Sequence, residues 1–286
     1  MTRPTISPDP HPNAPPGPDG LRLSGTPLSQ ARRILVVVPG ALTRLDAFAP
    51  LTEALPYGTA LVEIAFPGLD GRPLDRPVRI RATARRLAQR LNAAPAERID
   101  LVGISAGAGI CLELRGHLTC ADVTLAAIAA PAPFPDLLTT TLGMAGDLRR
   151  ARRDHPGAPW RVIWFELFRI LLFGRGDDRP ELALDDRGRP PGPSVEPTFR
   201  MLAYHGAAIT LWRPSSAAMR ADTPLRFFHG SRDTVSPSAA IARLAARMHN
   251  ADARWYRDRG HLPHIMNPQL FADIRRFWLY RGKSGG

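Results

Sequence analysis

The chain has 286 residues, 44% of them hydrophobic, enough to bury a core as one large α/β domain or two small ones. No run of 18 or more apolar residues occurs, which argues against a membrane-spanning helix. The formal net charge of +12 invites a phosphate-binding reading, yet Lys283 is the only lysine among 38 Lys and Arg residues. That arginine skew, beside abundant Ala and Pro, reads as compositional bias, so no nucleic-acid partner is expected. A cationic field still draws anionic substrates or membrane surfaces, and peripheral membrane contact stays open.

The first thirty residues hold eight prolines and no apolar core of a signal peptide, and read as a disordered leader, residues 1–30. With no export signal, a cytoplasmic location is expected. Arg33–Val38 is an apolar run of strand length, typical of a parallel strand buried on both faces, and Pro39-Gly40 stops it. Leu45–Leu55 carries helical spacing, and Ala60–Phe66 is a second strand closed by Pro67-Gly68. Val78–Ala94 places Ile80, Ala84, Leu87, Ala88 and Leu91 on one face of an amphipathic helix. Val123–Ala130 is a further strand, ended by prolines.

From residue 136 to 221 the alternation of strand and helix disappears. This insert contains Trp160–Phe173, a strongly apolar helical stretch, and a Gly, Asp and Pro-rich loop at 174–197. Alternation resumes with a strand at Leu225–His229, a helix at Ser238–Met248, a strand at Ala253–Arg257 and an amphipathic helix at Pro268–Tyr280. Strands alternating with helices across short turns imply right-handed crossovers and a parallel sheet. The expected domain plan is a core of 31–135 and 222–286 interrupted by the insert.

Within that core, Arg98–Ile104 leads into Ser105-Ala106-Gly107-Ala108-Gly109 and reads as strand, tight turn and helix start. A serine at such a tip takes a strained backbone, and its neighbours two positions away must be small for strand and helix to approach. Gly103 and Gly107 meet that demand. The turn lifts the Ser105 hydroxyl out of the sheet as a candidate nucleophile, with the Ala106 N–H aimed where an oxyanion would form.

A serine hydroxyl needs a base to take its proton, and the base needs a third group to fix its tautomer. Asp233 lies in the loop after the Leu225–His229 strand, and His261 in the loop after the last strand. All three residues project from the carboxyl ends of parallel strands, where such sheets place their sites. Other chemistries lack their motifs: no G-x-G-x-x-G follows the first strand, and no G-x-x-x-x-G-K-[ST] or H-E-x-x-H occurs. Neither metal nor cofactor is expected. Cys111 and Cys120 read as reduced, small hydrophobic residues. The acidic group Asp177, Asp178, Glu181, Asp185 and Asp186 lacks EF-hand spacing and reads as a solvated loop.

The serine turn, the H-G-x-x-D-x-x-x-P loop at His229–Pro237, the G-H-x-P-H segment at Gly260–His264 and the order Ser, Asp, His together resemble the α/β-hydrolase family. The likeness covers roughly residues 33–134 and 222–280. It implies a mostly parallel sheet with helices on both faces and a helical cap insert, with Ser105 as nucleophile, His261 as base, Asp233 as orienting acid, and an oxyanion hole from the N–H groups of Ala41 and Ala106. The sequence departs from the commonest pattern at Ile104, where His is frequent, and at Ala41-Leu42. His264 is an alternative base and Asp136 a rival acid; His229 reads as a satisfied core histidine.

The resulting expectation is a hydrolase of carboxylic esters or thioesters acting through an acyl-enzyme. An acyltransferase using the same three residues and a catalytically silent binding protein are the rivals. The Trp160–Phe173 helix is too short to span a bilayer and is expected to cap the site, with Trp164 and Phe168 as candidate walls of an apolar acyl pocket. A helix merely packed on the domain, or one lying in a membrane interface, are the other readings, and the sequence leaves the oligomeric state open.

Overall fold

A computed structural model describes residues 16–17, 19–134, 136–175, 195, 197–265 and 267–280. Seven strands form one sheet in the order β1-β3-β2-β4-β5-β6-β7. These are β1 (Leu21–Gly25), β2 (Arg33–Val38), β3 (Thr59–Ile64), β4 (Arg98–Ile104), β5 (Asp122–Ile128), β6 (Leu225–Gly230) and β7 (Ala251–Tyr256). All neighbouring pairs are parallel except β1, which runs antiparallel to β3 with Leu21 opposite Ile64 and Gly25 opposite Ala60.

Strand β1 corrects the expectation of a disordered leader through residue 30. Leu21 and Leu23 alternate with polar residues, the period an edge strand needs, and Leu21 packs on the core while Leu23 stays exposed. The Pro-rich residues 1–15 lie outside the described residues. A second difference falls at Leu45–Leu55, where a 3-10 turn at Leu45–Phe48 is followed by a one-turn α1 (Ala49–Thr52) instead of a longer helix. Pro50 explains the break, since it fits only the first turn of a helix, where its missing N–H is not needed.

Alternation along the central strands divides the core in two. Ile34, Val36, Val38, Ile99 and Leu101 face α2 (Ile80–Asn92), α3 (Ala106–Arg115) and α8 (Ser238–Arg247), while Leu35, Val37, Val102 and Ile104 face α1 and α9 (Pro268–Tyr280). Each strand is therefore apolar on both faces, the reason β2 reads as an unbroken hydrophobic run.

Between β5 and β6 the described residues form four helices: α4 (Asp136–Asp154), α5 (Trp160–Phe173), α6 (Phe199–Ile209) and α7 (Ser216–Arg220). The last is stitched to the core, because the buried Arg115 guanidinium donates to the carbonyls of Ala218 and Thr223. The acidic group at 177–186 lies outside the described residues.

Candidate active site

Strand β4 delivers Ser105 at a backbone conformation of φ 49°, ψ −119°, left-handed and strained for a residue with a side chain. The strain is held in place by packing. A Cβ on Gly103 would lie 2.6 Å from the Ala108 backbone, and one on Gly107 would run into the carbonyl oxygens of Val38 and Pro39. The Ser105 N–H donates to Ile128 O at 2.8 Å, tying the turn to β5. Gly40 presses against the turn from β2: a Cβ there would meet Ser105 Cβ at 2.9 Å. Ala41 therefore follows a residue packed closely against the serine turn. Ala106, first residue of α3, has an N–H that no helical carbonyl can accept.

Ser105 Oγ lies 2.9 Å from His261 Nε2, and His261 Nδ1 lies 2.8 Å from Asp233 Oδ2. A carboxylate only accepts, so Nδ1 carries the proton and Nε2 presents its lone pair to the serine hydroxyl. Asp233 is held from both sides, since its Oδ1 accepts the N–H groups of Val235 and Ser236, each at 2.8 Å. Burial pushes the Asp233 carboxyl up, but the attraction and hydrogen bonds of His261 and His229 outweigh it and hold the group well below the usual carboxylate range.

His229 differs from the satisfied core histidine expected of it. Its Nε2 lies 2.7 Å from Ser236 O and 3.1 Å from Asp233 Oδ2, so it is a second imidazole on the same carboxylate, while its Nδ1 has no hydrogen-bond partner among the described residues. Its place at the end of a strand gave no hint of this, because the Asp233 loop folds back onto the strand that precedes it.

Neither rival joins the hydrogen-bonded chain from Ser105 to Asp233, although His264 lines the same cavity as Ser105 and His261. Asp136 pairs with Arg243 at 3.0 Å on the exposed surface. His264 is buried with neither ring nitrogen partnered among the described residues, and burial, helped by His261, pushes its pKa down to about 3.

The histidine loop rests on the insert. Gly260 N–H donates to Leu172 O at 2.7 Å and Leu262 N–H to Leu171 O at 3.2 Å, so the last turn of α5 accepts the amides on both sides of His261. These carbonyls have no intrahelical partner, and the loop satisfies them.

A cavity of about 280 Å³ opens over Ser105 and His261. Trp164 and Phe168, one helical turn apart on α5, both line it, and so do Ala41 and Leu42 from the loop after β2 and Leu202 and Ile209 from α6. His205 on α6, which the sequence did not single out, also reaches this cavity and bonds to the loop after β2: Leu42 N–H donates to its Nδ1 at 3.0 Å. A lone histidine in a region without a motif carries no signal from which that contact could be read. Among the described residues no helix is long and apolar enough to cross a membrane, and no group of His, Cys, Asp and Glu has the arrangement to hold a metal ion. Cys111 and Cys120 are free, the first fully buried with its thiol pushed far up by burial.

Comparison with known proteins agrees with this architecture. The sequence profile of the alpha/beta hydrolase family matches residues 35–274, and the chain belongs to that family. No curated protein matches it. Among solved structures it resembles MGS-M2, an alpha/beta hydrolase enzyme from a Medee basin deep-sea metagenome library, with TM-score 0.66, 13% identity, and 90% of this chain and 93% of that one covered. BpoC from Mycobacterium tuberculosis H37Rv, described as a non-heme bromoperoxidase, aligns with TM-score 0.66, 15% identity and coverage of 92% and 96%. A thermophilic esterase from Thermogutta terrifontis aligns with TM-score 0.56, 18% identity and coverage of 91% and 92%. At such identities the likeness speaks to the fold and not to the reaction.

Proposed function

We propose that the protein is a serine hydrolase of carboxylic esters or thioesters with an apolar acyl group, working through an acyl-enzyme on Ser105. The observation that supports this most is the unbroken chain from Ser105 Oγ through His261 to Asp233, at 2.9 and 2.8 Å, whose first two members lie on the floor of a cavity lined by Trp164 and Phe168. In this reading Ser105 Oγ attacks the carbonyl carbon as His261 Nε2 takes its proton. The tetrahedral oxyanion receives the N–H groups of Ala41 and Ala106, and each such donor contributes on the order of 10²–10³ in rate. The imidazolium, stabilised by Asp233, then gives its proton to the leaving alcohol or thiol. Water enters, loses a proton to His261 and attacks the acyl carbon; His261 then returns that proton to Ser105 Oγ as the acyl–oxygen bond breaks and the acid leaves.

The insert acts as a cap in this reading, with α5 and α6 as the walls that receive the acyl chain. An activity screen over p-nitrophenyl esters of graded acyl length, with Ser105→Ala as control, tests the proposal. Turnover that rises with chain length and vanishes in the variant supports it. No turnover of any ester, with no labelling by a fluorophosphonate, would sink it.

A further inference from the structure

We propose that His205 is a positioning residue for the loop that carries the Ala41 N–H, so that a side chain of the insert completes the oxyanion hole of the core. The inference rests on the role given to Ala41 above. His205 lies on α6 and is 1% exposed. Its Nε2 is 2.8 Å from the carbonyl oxygen of Pro67, an atom that can only accept, so Nε2 carries the proton. The lone pair of Nδ1 is thereby left for Leu42 N–H, 3.0 Å away. One neutral imidazole thus clamps two core loops, and the ring stands edge-on to Phe66 with centroids 5.4 Å apart. Burial and the nearby Arg72 hold its pKa below the ordinary histidine value, which keeps the accepting nitrogen free of a proton.

The clamp falls at the position where the loop needs it. Leu42 sits at φ 60°, a left-handed conformation that costs a residue with a side chain energy unless its surroundings enforce it. On the other side of Ala41, Gly40 is wedged against Ile104 O and Ser105 Cβ, where an added Cβ would lie 2.9 Å from each. Ala41 is therefore suspended between a residue fixed by the serine turn and one fixed by His205. Releasing Leu42 lets its backbone leave the left-handed region and rotates the Ala41–Leu42 segment, so the direction of the Ala41 N–H depends on a contact 163 residues away in sequence. Undocking of α6 removes the same bond, which links closure of the cap to assembly of the hole.

Two near-isosteres separate the two bonds. In His205→Asn the amide oxygen takes the place of Nδ1 and still accepts from Leu42, while the bond to Pro67 is lost. In His205→Gln the amide nitrogen takes the place of Nε2 and still donates to Pro67, while the bond from Leu42 is lost. The two variants are compared for kcat and KM on the preferred ester, affinity for a trifluoromethyl ketone, unfolding temperature, and hydrogen exchange at the Leu42 amide. His205→Gln is expected to lower kcat about 10- to 100-fold, part of the loss of one whole oxyanion donor, and to weaken ketone binding in parallel with KM nearly unchanged. His205→Asn is expected to stay within about threefold of the parent in kcat, because it keeps the one bond that steers Ala41. A role confined to packing lowers the unfolding temperature of both variants and leaves their kcat values alike, and that result overturns the inference. If the parent protein hydrolyses no ester and binds no ketone, the hydrolase reading fails. Leu42 exchange then decides this one: faster in His205→Gln than in His205→Asn supports it, and equal rates overturn it.

Discussion

The N–H of Gly260 donates to the carbonyl oxygen of Leu172 at 2.7 Å, which ties the residue before His261 to the last turn of α5. The insert is thus fastened to the histidine loop at one end. Gly260 leaves no room for a side chain, since a Cβ there would collide with Leu171 O and lie 3.0 Å from Gly174 N. Gly260→Ala should therefore displace either α5 or His261. We expect a stability loss of about 1–3 kcal/mol in denaturant unfolding, as for other overpacked sites, together with a drop in kcat. A variant with parental stability and turnover would show that this junction is slack.

Asp233 and Asp136 should separate cleanly. Asp233→Asn is expected to lower kcat by roughly 10⁴, because an amide can stabilise the wrong tautomer of His261. Asp136→Asn loses an exposed pair with Arg243, worth about 0–1 kcal/mol, and should change kcat little. Because the folded-state pKa of Asp233 is depressed, its charge adds stability at neutral pH that is lost as pH falls through and below the ordinary carboxylate range. Asp233→Asn should accordingly be less stable at pH 7 and show a shallower acid-induced loss. Reversed kinetic effects would move the acid to Asp136.

His264 supplies a test of sign. Its pKa is pushed down to about 3 in the fold, so between the ordinary histidine range and pH 3 only the unfolded chain takes up the proton. Stability should fall as pH drops through that window, and this one group accounts for about 2 kcal/mol at pH 5. His264→Phe removes two buried nitrogens that have no partner among the described residues and should flatten the pH dependence of unfolding while leaving the protein at least as stable at pH 7. Turnover should persist in this variant and vanish in His261→Phe. A steeper acid transition in His264→Phe would contradict the argument.

Trp164 and Phe168 both face the cavity, so each should contribute to acyl selectivity. Each buried methylene of the substrate is worth up to about 0.8 kcal/mol, a rise of nearly fourfold in kcat/KM per carbon until the wall is reached. Trp164→Ala and Phe168→Ala should flatten that series, read from p-nitrophenyl esters of increasing length. A series that keeps its slope in both variants would mean the chain lies elsewhere.

How far the molecule could be read from its sequence follows from where the signals are local. The helices at Trp160–Phe173 and Pro268–Tyr280 occur at the bounds their apolar spacing suggests, and α2 buries the five residues expected of it. The meeting of Ser105, His261 and Asp233 was legible because each lies just beyond a strand at the same edge of a parallel sheet. Strand β1 was missed, since five residues in a Pro-rich context carry too little pattern to outweigh composition. The contacts of His229 with Asp233 and of His205 with Leu42 were also missed, because they depend on how loops fold back across the sheet edge and on how the insert docks. Neither leaves a periodic trace.

The central claim is that Ser105 forms a covalent intermediate activated by His261. Its most direct test is intact-protein mass spectrometry after brief mixing with a p-nitrophenyl ester and acid quench, followed by peptide mapping. The account predicts a mass increase equal to the acyl group, located on the peptide containing Ser105, absent in Ser105→Ala and accumulating far more slowly in His261→Ala. Ester turnover by the parent protein with no acyl adduct on Ser105, or an adduct that persists in Ser105→Ala, would contradict it.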